Sequence, residues 1–139
     1  LGNKTIDLKS YPSAVRYAIF FLWGGWLIHY FIYFTFFVDK MPLRSNVMQA
    51  VVGIGICYTI AKIKKWARIL CIFFNIGTMG LYTVYGIGFF GSGQLLKGLL
   101  SAITIVLFLG STYFLLIKET SSFFNEQNKM HEEPNAAKS

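Results

Sequence analysis

His29 is the one histidine that falls inside an apolar stretch of this chain. An ionisable residue in such a stretch usually faces a protein interior or a polar cavity rather than lipid. There it could serve as a proton-sensitive group, a metal ligand or a contact to a bound molecule. The plainer reading is a neutral imidazole hydrogen-bonded to a neighbouring hydroxyl. Counting depth along the helices places Tyr82 and Thr83 level with it. Metal binding is the weakest of these uses. The only other histidine, His131, lies in the polar tail, and Cys57 and Cys71 stand without histidines near them. Both cysteines read as small packing residues. Asn75 is the second candidate. A buried amide must find a partner, and interhelical amide bonds contribute about 1 kcal/mol, so Asn75 reads as a link between helices. Thr59, Thr78, Thr83, Ser101 and Thr104 can each bond the carbonyl four residues back.

Other chemistry is missing from the apolar part of the sequence. Asp7, Asp39, Glu119, Glu126, Glu132 and Glu133 all lie outside it. A proton-coupled exporter generally needs an acid within the membrane. No grouping of nucleophile, base and oxyanion donor is visible. The segment Gly86–Gly93 is glycine-rich but lacks the Lys-Ser/Thr and the preceding strand of a phosphate loop; it reads as a flexible helix exit. The expectation is a protein without enzymatic activity and without a cofactor or metal.

The elements that position these residues are four apolar runs. They cover residues 14–38, 47–63, 66–90 and 95–117, and none contains Asp or Glu. A stretch of roughly 17–25 apolar residues can cross a hydrocarbon core about 30 Å thick. Composition agrees: the 139 residues are 55% hydrophobic and only 14% charged, against about 25% charged in soluble domains. The spacing predicts an all-α polytopic membrane protein, with four transmembrane helices in an antiparallel bundle. Residues 1–13 form a polar N-terminal segment. Pro42 stops the first helix from continuing, and the tight turn after Ile63 makes the second and third helices neighbours. Residues 118–139 form a polar tail with too little apolar surface to order alone, with Phe123 and Phe124 as exceptions. The two helical hairpins share no motif that would mark an inverted repeat. The first run is too long for a signal-peptide core and should stay as a helix.

A net charge of +7 could point to nucleic acid, but the basic residues sit at the ends of the runs, where they meet lipid headgroups. Lys4, Lys9, Arg16, Lys62, Lys64, Lys65, Arg68, Lys118, Lys129 and Lys138 fall on one side; Lys40, Arg44 and Lys97 fall on the other. Basic residues favour the cytoplasmic side, so both termini are expected there. Lys62, Lys64, Lys65 and Arg68 would meet anionic headgroups at that face.

Small residues let helices approach in lipid. The first helix carries Ala14, Ala18, Leu22 and Gly25 on the face of His29, and the second carries Ala50, Gly53, Cys57 and Ala61. The third carries Gly77, Gly80, Val84, Gly88 and Gly91, and the fourth Gly98, Ala102, Val106 and Gly110. Each stripe is expected to be a packing seam.

The segment Lys64-Lys65-Trp66-Ala67-Arg68-Ile69-Leu70 resembles one found in small uncharacterised bacterial four-helix inner-membrane proteins. That resemblance implies a multi-pass protein of a bacterial inner membrane. The residues themselves read as Trp66 in the interface and Arg68 reaching back to phosphates. Small multidrug exporters share the size and span count but carry an acid in their first helix. The expected role is binding or assembly: with a membrane-protein partner, with further copies of the chain, or with a lipid or small apolar ligand. The alternatives are an oligomeric channel or transporter, and an enzyme using His29.

Overall fold

The computed structural model describes residues 11–36, 42–62, 65–127 and, as backbone, 128–136; Leu43 and Asn46 are likewise described as backbone alone. All regular structure among them is helical: α1 Ser13–Phe36, α2 Leu43–Ala61, α3 Lys65–Gly91, α4 Leu95–Leu116 and α5 Lys118–Ala136. The first four match the apolar runs closely, with α2 starting four residues earlier, directly after Pro42. Proline suits that position because the first amides of a helix have no intrahelical acceptor. The expected ends at Val38 and Ile63, the basic residue Lys64 and most of the N-terminal segment lie outside the described residues.

Three helices, α1, α3 and α4, are long and apolar enough to cross a membrane. Their outer faces fit lipid: Phe20, Leu27, Phe73 and Ile87 are each at least 70% exposed. Apolar patches on that scale are rare on soluble monomers.

The helix α4 packs along both α1 and α3, and α2 touches α1 and α3 over a smaller area. Contacts fix the directions. The Tyr17 ring lies 5.5 Å from that of Phe114 and Gly25 lies on Phe108, so α1 and α4 run antiparallel. Gly98 faces Phe90 and Asn75 reaches Ser111, so α3 and α4 do too. Tyr11 donates to the Ala61 carbonyl at 3.2 Å while His29 meets Gln49, so α2 returns along α1. The core joins Leu22 and Trp26 of α1, Ile56 and Ile60 of α2, Cys71 of α3 and Phe108 and Leu115 of α4.

The turn from α3 to α4 is ordered rather than a loose exit. Gly93 has φ 73°. Its amide bonds the Phe90 carbonyl and the Gln94 amide bonds the Phe89 carbonyl, closing the end of α3. That pair of bonds needs a left-handed residue, which glycine supplies without steric cost.

Two packing expectations are corrected. On α3, Gly77, Gly80, Val84, Gly88 and Gly91 all face outward, and a Cβ at each of the four glycines would meet nothing within 4 Å. On α4, Ala102 and Val106 are exposed. The interior faces are instead Ala67, Cys71, Asn75, Tyr82 and Gly86 on α3, and Gly98, Ser101, Thr104, Phe108 and Ser111 on α4. Polar side chains decide this. Asn75 and Tyr82 need partners that lipid cannot offer, so they turn inward. Gly77 then stands about 200° around the helix from Asn75. The seams on α1 and α2 are as expected at Gly25 and Gly53, and on α4 at Gly98; all three are buried.

The tail also differs from expectation. It forms α5, which packs against α1, α3 and α4. Ile117, at ψ 140°, ends α4 and redirects the chain. Thr120 and Phe124 are fully buried and Phe123 lies 5.6 Å from Tyr11. Polar residues cannot order the segment alone, but one phenylalanine set into the bundle end gives it an anchor.

Candidate functional site

The polar residues of the interior fall into two groups. The first surrounds His29, which α1 directs toward both α2 and α3. Its Nε2 lies 3.0 Å from Oε1 of Gln49 and its Nδ1 lies 2.9 Å from Oη of Tyr82. One imidazole therefore links three helices. Trp26 stands edge-on to it with ring centroids 5.1 Å apart, and Tyr33 stacks on it at 6.2 Å. The expected neighbour Tyr82 is present. Thr83 is not: it is exposed and donates to the Met79 carbonyl of its own helix at 2.8 Å.

Beside this link lies a cavity of about 290 Å³. Trp26, His29 and Tyr33 line it from α1, Gln49 and Val52 from α2, and Thr78 and Tyr82 from α3. Phe74, Leu81 and Tyr85 of α3 and Met48 of α2 complete the wall. None of these side chains is a carboxylate, lysine or arginine. Met48 and Leu81 are more than half exposed, so the cavity opens sideways between α2 and α3, through an apolar mouth. Its volume sits at the lower end of small-molecule pockets, roughly 300–1,000 Å³.

A second contact sets how α2 meets α1. The Tyr30 hydroxyl is within 3.1 Å of both the Gln49 and the Ala50 carbonyls. Gly53 makes the approach possible. A Cβ there would collide with the Tyr30 hydroxyl and lie 2.7 Å from Cε3 of Trp26. The indole therefore turns its six-membered edge to α2. Its Nε1, on the other edge, is buried without a hydrogen-bond partner among the described residues.

The second polar group is Asn75, fully within the α3–α4 contact. Its Nδ2 donates to Ser111 Oγ at 3.3 Å and Thr112 Oγ1 at 3.2 Å. Cys71 donates from Sγ to its Oδ1 at 3.8 Å. Its amide is thus used on both sides, as structural glue. Leu22, Phe108 and Ile60, each fully buried, belong to the intervening core.

The basic residues expected to meet headgroups are spread along their helix ends. Lys62 lies over the Tyr58 ring at 5.5 Å, Lys65 is exposed, and Arg68 is partly buried with Nε enclosed and unpartnered among the described residues. No cluster of three or more His, Cys, Asp or Glu forms among the described residues.

Two site residues escape sequence reasoning. Gln49 carries a strong signal in retrospect: it is an amide within an apolar run, as Asn75 is, and must find a partner. Trp26 carries none, because a tryptophan in a membrane helix is ordinary. Comparison of the chain with protein-family models, curated proteins and solved structures found no match.

Proposed function

We propose that this chain is a multi-pass protein of a bacterial inner membrane that binds a small, mainly apolar ligand among its helices, without catalysing a reaction. The observation that carries this reading is the cavity beside His29. Its walls are apolar and aromatic, its polar groups are few and converge, and its mouth opens toward lipid. Those are the features of small-molecule sites. A ligand dissolved in the bilayer would reach it without crossing water.

The same reading includes four spans in an antiparallel bundle. The apolar part of α2, Val47–Ala61, is shorter than those of α1, α3 and α4; with the first turn after Pro42 the helix has 19 residues and a length of about 28 Å. On this reading, four spans and the distribution of lysines and arginines support both termini in the cytoplasm. A C-terminal reporter active only outside the cytoplasm should then stay silent; activity would overturn the orientation.

Channel and carrier readings receive less support. The fully buried Leu22, Ile60 and Phe108 leave apolar packing where a single bundle would need a wet path. An enzyme reading is weakened by His29 itself, since both ring nitrogens already face partners.

The test uses a single-ring environment-sensitive fluorophore added to vesicles that contain the protein. A saturable bound signal is expected, and Thr78→Phe, which fills the cavity from α3, should remove it. A signal indifferent to Thr78→Phe would move the site elsewhere. Ion or solute flux through liposomes containing the purified protein would favour the carrier reading.

A second reading, assembly with another membrane helix, rests on a different face. Gly77, Gly80, Gly88 and Gly91 are all exposed on α3, and small residues there admit a close helix partner. Crosslinking of a Gly80→Cys variant into a discrete dimer, or its absence, decides whether copies of the chain associate through that face.

A further inference from the structure

We propose that the cavity takes the flat, neutral ring of a lipid-soluble molecule bearing a carbonyl oxygen, as a quinone head group does, with its aliphatic tail leaving between α2 and α3. This rests on the reading of the cavity as a ligand site and adds the chemical class.

Hydrogen-bond accounting gives the oxygen. If Tyr82 donates to Nδ1 of His29, then Nε2 carries the proton and donates to Oε1 of Gln49. The Gln49 amide nitrogen is then left with both N–H groups unspent. If the chain runs the other way, the Gln49 amide donates to Nε2, Nδ1 donates to Tyr82, and the Tyr82 O–H is left unspent. Either direction leaves a donor at the cavity wall. Trp26 lines the same cavity through its ring and is 6% exposed. A buried donor without a partner is costly and rare in native structures. A ligand with an acceptor oxygen satisfies such donors; a pure hydrocarbon does not.

The walls give the ring. Trp26, Tyr33, Phe74, Tyr82 and Tyr85 surround the space with aromatic faces and edges, which pack well on another flat ring. Charge is excluded by the absence of any carboxylate, lysine or arginine in the lining, since an unpaired ion is expensive there. Size gives a single ring: about 290 Å³ leaves no room for a large macrocycle or for a long chain as well. The exposed Met48 and Leu81 at the mouth offer that chain an apolar exit.

The experiment is a calorimetric titration of the full chain in detergent with three probes of one chain length: a decyl-substituted 1,4-benzoquinone, decylbenzene and decylbenzoate. One-to-one binding of the quinone is expected, with decylbenzene about tenfold weaker, the difference one hydrogen bond can supply. Decylbenzoate should bind weakest. Thr78→Phe should abolish quinone binding, and Gln49→Leu combined with Tyr82→Phe, which removes the donor of either direction, should bring the quinone down to the level of decylbenzene. Equal affinity for quinone and decylbenzene would overturn the inference and leave the cavity as a ligand site. Binding of neither would overturn both. Tightest binding of decylbenzoate would overturn the neutral class. If the paired substitution loosens α2, the comparison of the three probes on the unaltered chain decides by itself.

Discussion

Gln49 and His29 meet across α1 and α2 at 3.0 Å, beside the Tyr30 hydroxyl that bonds the Gln49 and Ala50 carbonyls. The Gln49–His29 bond helps hold the second helix in register and closes one side of the cavity. Replacing Gln49 by Leu removes it and leaves His29 with Tyr82 alone. Interhelical bonds of this kind contribute about 0.6 kcal/mol on average in membranes, and at most about 1.7. Gln49→Leu should lower stability by that order, measured by reversible unfolding in mixed detergent. His29→Gln should cost less than His29→Leu, because an amide can keep one of the two bonds.

Gly53 and Gly80 form a contrast that tests the packing directly. A Cβ on Gly53 enters the space of Tyr30 and Trp26, whereas one on Gly80 meets nothing within 4 Å. Gly53→Ala should therefore destabilise by about 1–3 kcal/mol, the usual cost of overpacking. Gly80→Leu should unfold like the parent if the chain is monomeric. Equal losses at both positions would contradict the described faces of α3.

Asn75 should behave as glue with a fallback. Asn75→Leu removes its bonds to Ser111 and Thr112, but each hydroxyl can turn to the carbonyl of the preceding turn of α4. The expected loss is about 1 kcal/mol. A double-mutant cycle with Ser111→Ala should show coupling, and ligand binding should be unchanged.

Phe124 is the anchor of α5. Phe124→Ala removes a fully buried ring, which in soluble cores costs about 3–5 kcal/mol. Here α5 can undock instead, so the sharper reading is hydrogen exchange. Amides of Lys118–Gln127 should lose protection while those of α4 keep theirs.

Much of the architecture is legible in the sequence because lipid imposes length and apolar composition on each span. The helices α1, α3 and α4 follow their apolar runs for that reason. Orientation about each axis is harder. On α3 two signals conflict, since Asn75 and Tyr82 point one way and Gly77 and Gly80 nearly the opposite way. Polarity prevails because an amide or phenol in hydrocarbon lacks partners, whereas an exposed glycine loses little. Pairing His29 with Tyr82 follows from depth along the helices, but Gln49 enters only through the crossing of α1 and α2, which single-helix periodicity does not contain. The docking of α5 escapes for a similar reason: its anchor is one side chain that needs the rest of the fold to receive it.

The central claim is that the space beside His29 holds a ligand drawn from the bilayer. Its most direct test is native mass spectrometry of the protein released intact from nanodiscs made with its own membrane lipids. The account predicts the chain carrying one small neutral molecule, with Thr78→Phe appearing at the bare mass of its chain. The same adduct state in the two proteins, whether both bare or both carrying the same added mass, would contradict it.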